Sequence, residues 1–388
     1  MNNMTKDYKE SLIAMRRRLH QYPEIAHQEE KTAEYLLDFL GQFNPDKLIS
    51  GIGGHGIAAI YNGKNEGPAV LIRCELDGLP IKEVSKLDHR SVNEGKGHLC
   101  GHDGHMIMVA GLAPLLSVSR PLSGSVILLF QPAEETGEGA EMVLNDEKFQ
   151  HIQPDYVFAL HNLPGFRESA IITRKGVFAA ASKGLIVELE GASSHAGHPE
   201  GGNNPAVAAA QLVQSVLTIP QKQLSMHDAA LITPIHLRVG QPAFGTSPGD
   251  GVVMFTVRSH SNASMETMEK EILHQVKHIA RAHNLSYQFK WIEPFEAVVN
   301  DAHCVELIEK CAEDLEMEVI RKEIPFPWSE DFGVFTNKYK GALFGLGAGI
   351  KTPQLHNEDY DFPDRLLDKG TSMFYSIIDE LLNTDSKN

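Results

Sequence analysis

Ser125-Val-Ile-Leu-Leu-Phe130 runs without a break into Gln131-Pro-Ala-Glu134-Glu135. A short apolar run ending in proline and two carboxylates reads as a buried strand followed by a chemically loaded loop. The pattern recurs. Ala69 to Cys74 runs into Glu75-Leu-Asp77-Gly-Leu-Pro80, and Tyr156 to Leu160 runs into His161-Asn162. Ala342 to Leu346 is followed by a glycine loop and then by Leu355-His356-Asn357, while Ile57 to Tyr61 is a further buried strand. Open α/β sheets build their sites outside the carboxyl ends of strands, so these loops are expected to share one site.

Cys100-Gly-His-Asp-Gly-His105 adds a thiol and two imidazoles just ahead of the apolar run Met106 to Leu116. Gly101 and Gly104 let the chain turn so that Cys100 and His102 face one point, and Asp103 is placed to cap a helix over 105–118. Pro114 must cost or kink something near that helix end. The competing interpretation is a plain turn whose histidines cap the helix. Gathered together, the metal-ligand candidates are Cys100, His102, Glu135, His161 and His356, with Glu134 adjacent. They suffice for two ions if one ligand bridges and water completes the shells; a thiolate suits zinc, and the carboxylates widen the choice to manganese, cobalt or nickel. Adjacent glutamates in an extended segment point to opposite sides, so one is expected to bind metal and the other to face the water. That division suits a hydrolase, with the second carboxylate as proton acceptor and donor. Alternatively, each histidine is a core or surface residue and the glutamates a solvated pair.

With 388 residues, two domains are expected. Asp and Glu number 51 against 35 Lys and Arg, which argues against a nucleic-acid partner. Four cysteines at irregular spacing form no disulfide framework and point to a reducing, cytoplasmic compartment. Met1 to Asp7 lacks the apolar core of a signal peptide, and no apolar run is long enough for a membrane span.

The N-terminal stretch from Lys6 to Phe43 reads as two helices broken at Tyr22-Pro23. Between Ser182 and Ile292 the texture changes. Strands are expected at 185–189, 232–239, 252–258 and 287–292. One helix is expected over 206–217 behind Asn204-Pro205, and a second behind Ser264 with Met268, Ile272, Val276 and Ile279 on its apolar face. The order β-α-β-β-α-β is ferredoxin-like. The expected organisation is a catalytic domain in two parts, 1–181 and 293–388, interrupted by a lid domain at 182–292, with hinges near Ala181 and Glu293. Ser193-Ser194-His195-Ala196-Gly197-His198-Pro199 is the lid's own cluster, and His195 there is either a hydrogen-bond donor to a substrate carbonyl or part of a plain turn.

Taken in order, these motifs resemble the M20 metallopeptidase and amidohydrolase family, in particular its aminoacylases, hippurate hydrolases and auxin-conjugate hydrolases. The match spans Arg17-Arg-Leu-His20 with Pro23-Glu24, Asp77 to Pro80, Cys100 to Asp103 with His105, and Gln131 to Glu135. It continues through Leu160 to Asn162, Ser194 to Gly197 with Pro199, Thr256-Val-Arg258, Ser329-Glu-Asp-Phe332 and Leu355-His356. The resemblance implies an α/β zinc-peptidase-like catalytic domain with a mixed central sheet flanked by helices, plus the inserted lid. It implies two divalent ions held by Cys100, His102, Glu135, His161 and His356, with Cys100 shared, Glu134 as general base and His195 acting on substrate from its own or a neighbouring subunit. The implied substrate is an N-acyl amino acid or a small conjugate, with self-association as a dimer or tetramer through the lid. Alternatives are a dipeptidase on the same site, a catalytically silent metal-binding protein, and a cysteine hydrolase using Cys100 and His102. Two positions depart from the family pattern: Arg73-Cys74-Glu75 replaces Arg-Ala-Asp, and Gly245 stands where a lid asparagine precedes the proline, here Pro248.

Overall fold

In the computed structural model, residues 6–383 are described; the first five residues, part of the N-terminal stretch read above for a signal peptide, lie outside them. Helices α1 (Lys6–Gln21) and α2 (Glu30–Gly41) lead into strands β1 (Lys47–Ile52), β2 (Gly56–Asn62) and β3 (Asn65–Glu75). Next come α3 (His102–Ala110), α4 (Leu112–Val118) and β4 (Ser123–Gln131), then α5 (Gly139–Asn145), α6 (Glu147–Gln150), β5 (Tyr156–Pro164), β6 (Ile171–Thr173) and β7 (Gly176–Ala179). The middle segment contains β8 (Ala181–Glu190), β9 (Ser194–His195), α7 (Ala206–Val216), α8 (Ile219–Gln223), β10 (Ala230–Val239), β11 (Thr246–Ser247), β12 (Asp250–Ser259), α9 (Asn262–Ala282) and β13 (Ser286–Phe295). Finally β14 (Val298–Asn300), α10 (Ala302–Asp314), β15 (Val319–Arg321), α11 (Gly333–Thr336), β16 (Lys340–Gly349) and α12 (Leu367–Leu382) complete the chain.

These elements form two units, one of 1–178, 298–324 and 331–388, the other of 179–297 and 325–330. The first unit holds an eight-stranded mixed sheet in the order β1-β2-β4-β3-β5-β16-β6-β15. Its middle four strands, β4, β3, β5 and β16, run parallel. Their interiors, such as Val126 to Phe130 and Val157 to Ala159, are almost wholly excluded from water. Continuous apolar runs suit strands covered on both faces, and all four carboxyl ends emerge at one edge. The short strands β1, β6 and β15, which lack such runs, were not apparent from hydrophobicity.

Behind that edge lies α3, buried over its whole length and apolar on every side after its first turn. It begins at His102, three residues before the expected start, and ends at Gly111, where α4 takes over with Pro114 inside it. Gly101 is its N-terminal cap. Asp103 does not cap it, because that carboxylate lies in the first turn and accepts from Arg16 Nη1 at 3.0 Å and His20 Nδ1 at 2.9 Å. Charge-assisted bonds of this kind outweigh a bond to a backbone N–H.

The second unit is a four-stranded antiparallel sheet in the order β10-β12-β8-β13, the ferredoxin-like arrangement. Helix α9 buries Met268, Ile272, Val276 and Ala280, and it is capped by Ser261, whose hydroxyl accepts from Ser264 N. Ser264 itself lies inside the first turn. Helix α7 starts at Ala206, with Pro205 just outside it.

Gly104 tests how tightly α3 is packed. A Cβ there would lie 2.4 Å from Phe362 Cδ2 in a ring that is fully buried. Alanine gains about 1 kcal/mol in helix propensity over glycine, whereas overpacking a core costs about 1–3 kcal/mol. Gly104→Ala is therefore expected to lower urea-unfolding stability by up to about 2 kcal/mol. An unchanged or raised midpoint would show that Phe362 yields.

Candidate metal centre

Strand β3 ends at Glu75, and two residues later the fully buried Asp77 organises what surrounds it. Its carboxylate accepts from the backbone N–H of Glu134 at 3.1 Å and of Glu135 at 3.0 Å, and its backbone oxygen accepts from His102 Nδ1 at 2.8 Å. The ends of β3 and β4 and the start of α3 are thus tied to one residue. Burial pushes the Asp77 carboxyl up to about 7, against the downward pull of those two N–H groups.

Glu134 and Glu135 sit in a turn, not in an extended segment. Their expected divergence to opposite sides is not observed: Glu134 Oε2 and Glu135 Oε1 each lie 3.8 Å from His102 Nε2. The turn is entered through Ala133 at φ 53°, a left-handed conformation that a side chain rarely adopts and that redirects the turn as a whole; within it the chain is no longer extended, so adjacent side chains need not alternate.

Gly101, at φ 93°, makes the corresponding turn on the other side. A Cβ there would lie 2.5 Å from Asn162 Oδ1. Cys100, His102 and His161 consequently bring ligand atoms within 4.8 Å of one another, as do Cys100, Glu135 and His356, and His102, Glu134 and Glu135. The five predicted ligands and Glu134 therefore form overlapping groups in one unit. Cys100, His102 and Glu135 each belong to two groups. Cys100 Sγ is 3.5 Å from His161 Nε2, and His356 Nε2 is 3.7 Å from Glu135 Oε2. His356 is half exposed, in contrast to the others, and is held at φ 65°.

The ring orientations suit cation binding. His102 donates through Nδ1 to Asp77 and His161 through Nδ1 to Asn162 O at 2.9 Å, which leaves the lone pair of each ring on Nε2, facing the cluster. His102 Nε2 is buried and has no hydrogen-bond partner. Such a nitrogen is costly to bury among thiol and carboxylate groups unless a cation takes its lone pair. Burial also holds His102 well below its ordinary pKa, in the neutral form a metal needs.

Beneath the ligands lies a second layer that the motifs did not assign. Glu75, the departure from the family's aspartate, is fully buried and bonds His105 Nδ1 at 2.6 Å, while His105 Nε2 meets Asn162 Oδ1 at 2.6 Å. Glu75, His102 and His105 form another group with converging ligand atoms. Arg73 bonds Glu75, Asp331 and, at 2.9 Å, Gln131 Oε1. Asp331 in turn accepts from Gln131 Nε2 at 2.6 Å and from Ala140 N at 2.8 Å. Burial would raise the Glu75 carboxyl, but Arg73 and His105 override it and hold it well below the usual range. These residues lay in quoted motifs; alternation of buried charge with apolar strand residues was the signal for Arg73 and Glu75.

His195 belongs to the second unit, exposed on β9 and paired with Thr246. Its Nδ1 accepts from Gly197 N at 3.0 Å, which leaves its proton on Nε2. Ala196 N donates to Gly245 O at 3.0 Å, so the Ser193–Pro199 cluster and the departing glycine adjoin. A Cβ at Gly245 would meet nothing within 4 Å.

The sequence matches the Peptidase family M20/M25/M40 over residues 71–380. An N-acetyldiaminopimelate deacetylase of Bacillus velezensis is 32% identical over 344 residues, covering 88% of this chain and 90% of that protein. An N-acetyl-L-cysteine deacetylase of Bacillus subtilis is 30% identical over 383 residues, covering 97% and 89%. Among solved structures, a Bacillus subtilis protein described as a dinuclear metal-binding peptidase of the M20 family superposes with a TM-score of 0.83 at 25% identity, covering 98% of this chain and all of that one.

His20 allows a test of the electrostatics beside α3. Burial would lower its pKa, but hydrogen bonds to Asp103 and Glu83 push it up to about 9 from the ordinary 6.5. A raised folded-state pKa stabilises fully below pH 6.5, and this contribution declines as pH rises and is lost above about 9. The difference in unfolding free energy between metal-free wild type and His20→Gln is expected to be of the order of 3 kcal/mol larger at pH 6 than at pH 9.5. Equal gaps at the two pH values would show a neutral ring.

Proposed function

Because the chain belongs to the Peptidase family M20/M25/M40, we propose that it is a metal-dependent hydrolase that splits the amide of an N-acyl amino acid into a carboxylic acid and a free amine. The observation that carries this is the overlap of three donor groups around Cys100, His102 and Glu135, with Glu134 in one of them. Cys100, His102, Glu135, His161 and His356 would hold two divalent ions, and Cys100, which belongs to two of the donor groups, could serve both. Zinc suits the thiolate and imidazoles, and manganese, cobalt and nickel suit the mixed donor set. When bound, the ions supply Lewis acidity, which makes water easier to deprotonate and the amide carbonyl more electrophilic.

Glu134 then takes the proton of the attacking water and delivers it to the leaving nitrogen. Its carboxylate is placed for this by Asp77, which fixes its backbone, and Glu134 itself is only 5% exposed. His195, with its proton on Nε2, is assigned as a donor to the substrate carbonyl oxygen as negative charge develops there. The relatives named as N-acetyl deacetylases support an N-acyl amino acid as substrate. Gly245, with open space around it, is the position assigned to selecting among acyl amino acids.

Four buried cysteines without disulfides support a reducing, cytoplasmic setting. Among the described residues no helix is long and apolar enough to cross a membrane. The edge strand β10 exposes Leu231, Ile235 and Leu237 and is assigned as the surface for self-association.

Glu134→Gln is expected to lower kcat about 100- to 10,000-fold while metal content stays at the wild-type level. Full activity in that variant would remove Glu134 from the mechanism. On a panel of N-acetyl, N-benzoyl and longer N-acyl amino acids beside dipeptides, chelation should abolish amine release, and manganese, zinc or cobalt should restore it. Gly245→Asn should fold normally and change relative KM values across the panel more than kcat; an unchanged ranking would exclude Gly245 from specificity.

A further inference from the structure

Arg16 of α1 is fully buried, yet it meets three carboxylates. Its Nη1 bonds Asp103 at 3.0 Å and Asp361 at 2.6 Å, and its Nε bonds Asp364 at 2.8 Å. Asp103 directly follows His102, while Asp361 lies five residues after His356. One guanidinium therefore holds two segments that each carry an assigned ligand.

Those segments differ in what else supports them. His102 is in a helix and is bonded to Asp77. His356 lies in the stretch 350–363, which has no regular helix or strand. Its left-handed backbone costs about 1–3 kcal/mol and persists only where surrounding structure over-determines it. Several ties do so here, besides the buried Tyr360, which accepts from Asn162 Nδ2, and the buried Phe362. His356 N donates to Leu99 O at 2.8 Å, Val84 N donates to Glu358 O at 2.8 Å, and Asp361 is gripped by Arg16 and by His89 Nε2 at 3.2 Å. The grip on Asp361 is the ionic one among them, and it is referenced through Arg16 to Asp103 and so to the start of α3.

We propose that Arg16 is a positioning residue for the metal centre, setting the His356 segment against the Cys100–His102 turn through its shared bonds to Asp361 and Asp103. This rests on the ligand assignment made above. A buried ion pair is a weak source of stability after desolvation, whereas its fixed fork geometry gives positional specificity. Arg16 bonds none of the assigned ligands, so its effect reaches the ions through the segments that carry His102 and His356, and the Asp361 arm acts through His356.

The test is a double-mutant cycle read by calorimetric titration of metal-free protein with manganese alone. Asp361 is 27% exposed, so Asp361→Asn cuts one arm without stranding a charge deep in the core. That variant, with wild-type circular dichroism, is expected to bind one of the two ions about 10- to 100-fold more weakly. His356→Ala should lose at least as much, and adding Asp361→Asn to it should cause no further loss. Excess manganese should restore turnover in Asp361→Asn. Arg16→Lys keeps the buried charge but cannot fork, and it should weaken the same ion. Unchanged affinity in a folded Asp361→Asn, or a loss fully additive with His356→Ala, would overturn the proposal while leaving the ligand assignment in place. A wild-type protein that takes up none of manganese, zinc, cobalt and nickel would remove the assignment and this proposal together; if it takes up zinc, cobalt or nickel but not manganese, the same cycle is read with that ion. If Asp361→Asn fails to fold, Arg16→Lys decides by the same criterion.

Discussion

One carboxylate without access to water holds the centre together. Asp77 uses its side chain to fix the turn that carries Glu134 and Glu135, and its backbone oxygen to fix the ring of His102. Two strand ends and a helix start are consequently set by bonds near 3 Å, shorter than any route between them through loops. The constraint is costly by itself, because a buried acid prefers its neutral form. It becomes affordable in a site that also takes up positive charge. At an effective dielectric near 20, two carboxylates 4 Å apart repel by about 4 kcal/mol, and this pocket gathers Asp77, Glu134 and Glu135 around imidazoles. A bound cation would relieve that repulsion.

Around that centre the protein places fixed positive charge only in the supporting layers. Arg73 sits under the strand ends with Glu75 and Asp331, and Arg16 sits beside α3 with Asp103, Asp361 and Asp364. Arg16 and Arg73 each pair with buried carboxylates: Asp103, beside His102, and Glu75, which lies in a group with His102 and His105. The segments that bear the proposed ligands are held by these forks, whose planar geometry tolerates little rotation.

Much of this was legible in the sequence, and the reasons are local. Apolar runs ending in His, Glu or Asp gave the parallel strands and the edge where the ligands meet, because buried parallel strands need uninterrupted apolar side chains. The ferredoxin-like order followed from strand alternation and from the 3.6-residue period of Met268, Ile272 and Val276. Side-chain direction at Glu134 and Glu135 was not legible, since it depends on the chain turning after Ala133 instead of staying extended, and the positive φ at which that turn is entered is one an alanine does not advertise. The bond from Asp103 to Arg16 spans 87 residues and that from Asp361 spans 345, so no spacing rule reaches either. Asp103 therefore looked like a helix cap, the nearest local role for its residue type.

Ala133 carries a consequence for how this chain can change over generations. Its strained, fully buried backbone is a point at which stability and chemistry favour different residues. Glycine would relieve the conformation but leave the glutamate turn with more freedom in the unfolded chain and less definition in the folded one. Any larger residue would need space that the interior does not offer. Drift is therefore expected to be slow at this small, chemically inert position, as slow as at the carboxylates it aims, although the residue itself never meets a substrate.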